Sequence, residues 1–206
     1  MCGRYTLFTD KEYQDIRKII RAVQEKGHEV KTGEIYPTNP APILVWEGKE
    51  TVPQAVKWGW PKFQGSGVLI NARAETAEEK NLFRKSVYTR RCVVPTTGFY
   101  EWDQEKVKYR FILPHASTLY LAGLYNEFQG ERRFFDFNHG GQCIGFLYPQ
   151  PYAGDCLSGN DRYLAGGHRK SGAHASLAAA RTSYCYTIKA LNRKCKLEVI
   201  KFYQRS

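Results

Sequence analysis

The stretch RCVVPTTGFYEW, residues 91–102, holds two short runs of apolar and aromatic residues that are separated by Gly98. Runs of this kind, bounded by turn residues, are typical of β-strands. We therefore predict strands at residues 92–94 and 99–102. Glu101 stands inside the second run between two aromatic side chains. A carboxylate in that position points either to water or into a pocket.

Further strand candidates lie on both sides of this stretch. Pro37, Pro40 and Pro42 force an extended segment, and two apolar runs then follow across a turn at Gly48. The other predicted strands are residues 43–47, 51–58, 68–71, 108–113, 118–124 and 132–135. Together with the helices described next, this pattern predicts an α+β fold with mostly antiparallel strands.

Two segments have the pattern of amphipathic helices. The first runs over residues 9–24, where Tyr13, Ile16, Ile20 and Val23 fall on one face. The second runs over residues 76–87. Each begins with threonine followed three residues later by glutamate, which is the signature of a capping box. The two predicted boxes are Thr9 with Glu12 and Thr76 with Glu79.

Bulk composition narrows the class of protein. A chain of 206 residues with 42% hydrophobic residues suits one domain. It contains no run of about 18 apolar residues and does not begin with a signal-peptide pattern, so we expect no membrane span. The six cysteines form no CxxC pair, so we expect neither a metal site nor a disulfide framework, and a reducing cytoplasm fits. The net charge of +11 favours a polyanionic partner such as nucleic acid.

Cys2 is a candidate nucleophile because of its place in the chain. Removal of Met1 before this small residue leaves cysteine with a free α-amine and a thiol. The amine titrates near ~8, so part of it is neutral at physiological pH. An aldehyde can condense with the amine, and the adjacent thiol can then close a five-membered ring. Either group can serve nucleophilic catalysis.

Four segments carry a family resemblance when they are taken together. They are Cys2–Tyr5 (CGRY), residues 36–42 (YPTNPAP), residues 56–76 with the run NARAET, and residues 91–102. In this order they resemble the SOS response-associated peptidase (SRAP) family, whose members include abasic-site-sensing proteins. The resemblance covers residues 1–135. It implies a curved antiparallel, barrel-like sheet with flanking helices and a positively charged cleft.

The resemblance also implies an activity in DNA damage and the SOS response. The protein would bind single-stranded DNA at an abasic site, whose ring-opened sugar offers an aldehyde at C1′. Cys2 would form a thiazolidine with it, which is a covalent protein–DNA cross-link. Asn71 would position the sugar and the amine, and Glu101 would act as the acid and base. We expect a monomeric, cytoplasmic enzyme with peptidase or lyase-like activity and no cofactor, associated with the nucleoid when it acts.

DNA contacts are implied at five further positions. Arg4 and Arg73 would hold phosphates, because arginine suits bidentate phosphate contacts. Trp58 and Trp102 would line the cleft, where aromatic rings can stack on unpaired bases. Asn39, from the proline-rich segment, would contact DNA as well.

The character of the sequence changes after residue 135. Residues 136–186 are rich in glycine, alanine, serine and histidine and have the pattern of coil, while residues 187–206 are basic and have some helical or strand character. We expect residues 136–206 to form a poorly structured tail. The family's His-x-Arg-Met-Pro motif, whose histidine assists proton transfer to the sugar, is absent here. Residues 136–155 can be back-translated, with synonymous codons chosen for the purpose, so that reading from the second base gives such a motif, which suggests a frameshift near Phe135. This tail holds ten Lys and Arg against four Asp and Glu, hence six of the eleven net positive charges.

Three readings of function remain open from the sequence. The first is an abasic-site cross-linking protein that the altered tail impairs. The second is a protease in which Cys2 is an N-terminal nucleophile that cleaves peptides. The third is a single-stranded DNA-binding remnant that forms no covalent adduct. A domain that has lost its last third also exposes strand edges, which favours aggregation.

Overall fold

The computed structural model describes residues 3–48, 50–102, 104–113, 118–139, 142–143, 145–146 and 198–202. The described helices are α1 (Gln14–Gln24) and α2 (Asn81–Thr89), with a 3₁₀ turn at Ala74–Thr76. The described strands are β1 (Arg4–Leu7), β2 (Gly33–Ile35), β3 (Pro40–Glu47), β4 (Glu50–Trp58), β5 (Trp60–Pro61), β6 (Val68–Leu69), β7 (Asn71–Arg73), β8 (Arg91–Thr96), β9 (Gly98–Trp102), β10 (Lys108–Ile112), β11 (Leu119–Phe128), β12 (Glu131–His139), β13 (Gln142–Cys143), β14 (Gly145–Phe146) and β15 (Glu198–Phe202).

Five of these strands close into a ring. Their order is β4, β3, β8, β11 and β12, and β12 pairs both with β11 and, in parallel, with β4. Closure leaves these strands without a free edge inside the ring. The expected α+β fold with a barrel-like sheet is therefore confirmed.

A second sheet packs against the ring and has two different faces. Its order is β15, β10, β9, β1 and β2, antiparallel throughout. Because side chains alternate along a strand, Tyr5 and Phe99 enter the largest core cluster together with Trp58 of the ring. The alternate residues, including Arg4 and Tyr100, lie on the opposite side. We call that side the outer face; its members used below are Arg4, Tyr100, Trp102, Lys108 and Glu34.

Both helices begin later than the capping patterns predict. The residues that precede α1 and α2 are Tyr13 and Lys80, and neither makes a side-chain cap hydrogen bond. The two predicted capping boxes are therefore wrong. For α2 the reason is tertiary, because Asn71–Arg73 pairs with β12 and keeps the following residues beside the sheet. The apolar face predicted for α1 is confirmed, since Ile16, Ile20 and Val23 are buried.

The predicted strands are present, and most are longer than expected. The turn between β3 and β4 lies at Gly48, whose φ of +70° is in the left-handed region that glycine favours. The strands β1 and β2 were not predicted, because each is too short to show an alternating pattern. None of the helices in the described part of the chain is long and apolar enough to cross a membrane.

The sheet also continues beyond residue 135, where the sequence predicts coil. The strand β12 runs to His139, with Phe135 and Phe137 buried among the residues that pack beside α2. The strands β13 and β14 follow within the described residues, so the coil prediction is wrong at those positions, whereas β15 lies in the segment for which some helical or strand character was predicted. Pairing with β11, β7 and β10 supplies the order that local sequence does not. Residues 147–197 and 203–206 lie outside the described residues, and His168 and His174 lie among them.

Candidate active site

The start of β1 brings the candidate catalytic segments together. Arg4 pairs with Tyr100 of β9, so the chain enters the sheet beside Glu101. The first described residue, Gly3, lies against the segment before Asn71, because a Cβ built on it would be 4.0 Å from Ile70 Cδ1. Cys2 itself lies outside the described residues.

Glu101 belongs to the core side of β9, the side that also carries Phe99. Of the two orientations open from the sequence, the carboxylate therefore takes the one toward the protein interior. Burial raises the pKa of Glu101, and interaction with the positively charged amino terminus opposes this rise without cancelling it. A carboxyl group whose pKa moves toward neutrality is suited to give and take protons near physiological pH.

Asn71 begins β7 and is held by neighbours on two sides. Its register partner in β12 is Asp136. The residue before it is fixed by Trp58, whose Nε1 donates a hydrogen bond to the Ile70 carbonyl oxygen over 3.1 Å. Arg73, at the end of β7, is exposed. The structure thus places Asn71 and Arg73 on one short strand beside the start of β1.

Trp58 does not have the position that the sequence predicts for it. Its side chain is fully buried, and its ring meets the Tyr5 ring edge-on with centroids 5.1 Å apart. A ring with no exposed surface cannot stack on a base, so the predicted DNA contact is wrong in this structure. Trp58 instead supports the segments that carry Asn71 and β1.

Asn39 is engaged in local structure. Its Oδ1 accepts a hydrogen bond from the Tyr36 backbone N–H over 3.0 Å, and its carbonyl oxygen accepts one from the Trp58 N–H over 3.1 Å. These bonds hold the turn through Thr38, whose φ is +74°. Asn39 is half-buried and fixes the approach of β3 to β4.

Arg4 and Trp102 meet on the outer face. The Arg4 guanidinium lies over two aromatic rings, 4.4 Å from the Tyr36 centroid and 5.6 Å from that of Trp102. Its Nη1 also pairs with Glu34 Oε2 over 3.2 Å. Tyr36 is 41% and Trp102 39% exposed. Both rings are therefore open to a partner in solution while Arg4 holds a carboxylate.

Glu34 was not among the residues singled out from the sequence. It accepts hydrogen bonds from the Tyr36 hydroxyl over 2.7 Å and from Lys108 Nζ over 3.4 Å. Burial by itself raises the pKa of Glu34. Hydrogen bonds from Tyr36 and Tyr100 and the charges of Lys108 and Arg4 outweigh that effect, so its pKa is lowered. The i, i+2 spacing of Glu34 and Tyr36 was a usable signal, but nothing local points to Lys108.

Asp136 is a second residue that sequence reasoning missed. Its side chain is 2% exposed. In the register it lies between Gly123 of β11 and Asn71 of β7, and Gly123 in turn faces Cys92. Burial, with a further contribution from the Asp136 charge, raises the pKa of the Cys92 thiol well above its usual value. Cys92 is therefore a protonated, inert thiol at physiological pH.

Within the described residues, no three His, Cys, Asp or Glu side chains are grouped so that they could hold a metal ion. The candidate site consists of acid, amide and cationic side chains around the start of β1. Such a site supports proton transfer and contact with an anionic substrate.

Comparison with known proteins assigns the family. The family model for SOS response associated peptidase (SRAP) matches residues 1–140. The chain belongs to the SRAP family.

Several relatives carry names that refer to a DNA lesion. The chain is 34% identical over 142 residues to abasic site processing protein YoqW of Bacillus subtilis. The aligned region covers 62% of this chain and 61% of YoqW. It is 31% identical over 138 residues to abasic site processing protein YoaM of the same organism, and the aligned region covers 62% of this chain and 60% of YoaM. The chain spans about three fifths of the length of these curated relatives.

Solved structures confirm the fold alone, since their sequences are only 18% identical to this chain. A protein from Bordetella bronchiseptica superposes with a TM-score of 0.61, covering 98% of this chain and 100% of its own. A protein from Bacteroides thetaiotaomicron superposes with a TM-score of 0.63, and the superposition covers 98% of this chain and 93% of that protein.

Proposed function

We propose that this protein processes abasic sites in single-stranded DNA by capturing their aldehyde through Cys2. Membership of the SRAP family and the names of its relatives support this role. The observation that carries the proposal is the meeting of three segments at one place. These are the start of β1, the half-buried carboxylate of Glu101 and Asn71, which follows the residue that lies against Gly3, Ile70.

The proposed reaction needs only an amine, a thiol and one acid. The Cys2 amine attacks C1′ of the ring-opened sugar and gives a carbinolamine. Neutral Glu101 protonates the departing hydroxyl, so water leaves and an iminium forms. The thiol sulfur adds to the same carbon, and its proton returns to Glu101. One water is lost overall, and the product is a thiazolidine that joins protein and DNA.

The environment of Glu101 supports its role as the acid. A glutamate with an ordinary pKa is almost fully ionised at neutral pH and cannot donate a proton. Because burial raises the pKa of Glu101, a larger fraction of it is protonated where the reaction takes place. Asn71 follows Ile70, the residue that lies against Gly3, and provides an amide that can hydrogen-bond to the sugar hydroxyl groups or to the amine.

Exposed side chains around the site are suited to a DNA strand. Arg73 is exposed at the end of β7 and presents its guanidinium to solvent. Trp102, one residue beyond Glu101, has an exposed ring on which a neighbouring base can stack. A strand that delivers its abasic sugar to Glu101 would pass these two side chains.

The altered sequence after residue 135 gives the proposal a second part. The family's His-x-Arg-Met-Pro motif is absent from the chain, so the histidine that would assist proton transfer to the closed sugar ring is missing. We propose that capture draws on the small ring-opened fraction of the lesion and is slower than in relatives that carry the motif. A frameshift near Phe135 would explain the loss, and resequencing the locus tests it; an uninterrupted frame with no insertion or deletion relative to close relatives would refute it.

The experiment is a denaturing-gel shift with the full chain after removal of Met1. Three single-stranded oligonucleotides of one sequence are compared: one with an abasic site, one with that site reduced by borohydride, and one undamaged. We expect a heat- and detergent-stable band with the unreduced abasic strand alone, since the other two lack an aldehyde. Cys2→Ala should abolish the band and leave non-covalent binding in place.

Other outcomes would support the other readings. Equal bands from wild type and Cys2→Ala would refute the nucleophile. Non-covalent binding to all three strands without any band, from protein shown to be folded, would favour the DNA-binding remnant. Cleavage of peptides by wild type but not by Cys2→Ala, again without a band, would favour the protease.

A further inference from the structure

We propose that Asp136 is a positioning residue for Asn71. Its buried carboxylate accepts a hydrogen bond from the Asn71 Nδ2 amide, so that Asn71 presents Oδ1 to the reacting groups. The inference rests on the proposed function for the reaction in which Asn71 takes part, and it goes beyond that function by naming the group that orients the amide. None of the four segments that carry the family resemblance includes Asp136.

The sheet register places Asp136 and Asn71 side by side on one face. Asp136 is opposite Asn71, and the next pair along the two parallel strands is Phe137 and Ala72. Phe137 and Ala72 both belong to the core cluster that packs beside α2. Because side chains alternate along a strand, Asp136 and Asn71 lie on the other face, where Phe134 enters the largest core cluster. The carboxylate and the amide are therefore neighbours, since paired strands lie about 4.8 Å apart.

On its other side Asp136 is next to a residue without a side chain. Its partner in β11 is Gly123, and the residue beyond Gly123 in the row is Cys92 of β8. The negative charge of Asp136 contributes to the raised pKa of the Cys92 thiol, so the carboxylate is within electrostatic reach of that thiol. A thiol is only a weak hydrogen-bond donor. The stronger donor beside Asp136 in this row is therefore the Asn71 amide.

A hydrogen bond between these two side chains can form in only one way. An ionised carboxylate only accepts hydrogen bonds, whereas the asparagine amide donates through Nδ2 and accepts through Oδ1. Asp136 is 2% exposed, and a buried carboxylate needs donors because leaving it unsatisfied is costly. Nδ2 of Asn71 must therefore turn toward Asp136, and Oδ1 turns the opposite way.

An amide held in this orientation suits the groups that react. The sugar hydroxyl groups and the amine all carry hydrogens that Asn71 Oδ1 can accept. Without Asp136 the amide can rotate by half a turn and present Nδ2 instead, which would occupy the lone pair with which the amine attacks C1′. Asp136 should therefore act on the rate of cross-linking, and its effect should require Asn71. Affinity for DNA should stay nearly the same, because phosphate contacts supply most of it.

The experiment is a double-mutant cycle on the full chain after removal of Met1. Asp136→Leu removes the acceptor and keeps a side chain of similar shape, and Asp136→Asn keeps an acceptor without the charge. Each change is made in wild type and in Asn71→Ala. The rate at which the covalent band grows is measured with a saturating single strand that carries an abasic site. The Kd for non-covalent binding is measured with the borohydride-reduced strand, which cannot react, and thermal melting checks that each variant is folded.

We expect Asp136→Leu to slow cross-linking about tenfold, the effect of losing one hydrogen bond to a charged group, and Asp136→Asn to slow it less. The Kd should stay within about twofold of wild type for both variants. In the Asn71→Ala background neither change should alter the rate by more than about twofold, because the amide that Asp136 orients is gone. Cys92→Ala, on the other side of Gly123 in the same row, is the matched control and should keep the wild-type rate.

Other results would overturn the inference. Equal slowing by Asp136→Leu in wild type and in Asn71→Ala would assign Asp136 a structural role alone, as would a loss of affinity as large as the loss of rate. A wild-type rate in folded Asp136→Leu would show that the carboxylate orients nothing. In each of these cases the wild-type band keeps the proposed function, whereas its absence from folded wild type would overturn the proposed function and this inference with it. Should Asp136→Leu fail to fold, Asp136→Asn in the same two backgrounds decides.

Discussion

Arg4 and Tyr100 face each other across the antiparallel pair of β1 and β9, and the residue after Tyr100 is the half-buried Glu101. Because neighbouring residues of a strand point to opposite faces, β9 separates two kinds of chemistry. Glu101 lies on the core side, beside the start of β1. Tyr100 and Trp102 lie on the outer face with Arg4.

Glu101→Gln should slow cross-linking by roughly a hundredfold, because a positioned acid or base typically contributes about that much or more. The rate is measured as the growth of the covalent band on the abasic strand. Glu105→Gln, a change at an exposed acid after the same strand, serves as the control and should leave the rate unchanged. Equal rates for Glu101→Gln and wild type would remove Glu101 from the mechanism.

Glu101 and Glu34 should make opposite contributions to the pH dependence of stability. The pKa of Glu101 is raised above 4.5, so the folded state binds more protons there and stability falls as pH rises through that window. The pKa of Glu34 is lowered, so its contribution is present above the unfolded value and is lost as pH falls through the folded one. Denaturant unfolding of Glu101→Gln and Glu34→Gln from acid to neutral pH measures both. On going from acid to neutral pH, Glu101→Gln should gain stability relative to wild type and Glu34→Gln should lose it; the reverse pattern would contradict these assignments.

Replacing Trp58 should lower the free energy of unfolding, whereas replacing Trp102 should lower the affinity for single-stranded DNA. Trp58→Ala removes a fully buried ring from the core and should lower the free energy of unfolding by about 3–5 kcal/mol. Trp102→Ala removes an exposed ring, so stability should change little while binding of single-stranded DNA weakens by about 1–3 kcal/mol. Denaturant unfolding and anisotropy measure the two quantities. Strong DNA binding by a folded Trp102→Ala variant would exclude Trp102 as a stacking platform.

Cys92 should not react in the folded protein. Burial raises its pKa well above the usual value and its side chain is only 2% exposed. A thiol reagent applied at pH 8 should therefore leave Cys92 unmodified until denaturant is added, as mass spectrometry of the digested protein would show. Cys92→Ala should still form the cross-link. Rapid modification of Cys92 under native conditions would show that the thiol is accessible in the folded protein.

The strands were largely predictable because apolar runs and turn residues are local signals. The runs before and after Gly48 became β3 and β4, and the runs around Gly98 became β8 and β9. The helix starts were not predictable, since Thr76 and Glu79 form a capping pattern that the pairing of β7 with β12 overrides. The continuation of β12 to His139 has the same origin, because its partners lie far away in sequence.

The sequence by itself determined the family, the strand-rich α+β class, and the candidates Asn71, Glu101, Arg4 and Trp102, because these depend on residue types at fixed spacing. Only the tertiary structure decided on which face each one lies and what it meets. Lys108 reaches Glu34 across 74 residues of chain, and Trp58 is withdrawn from solvent by Tyr5. The reason is that strand register is set by long-range pairing, and a shift of one residue would exchange the two faces.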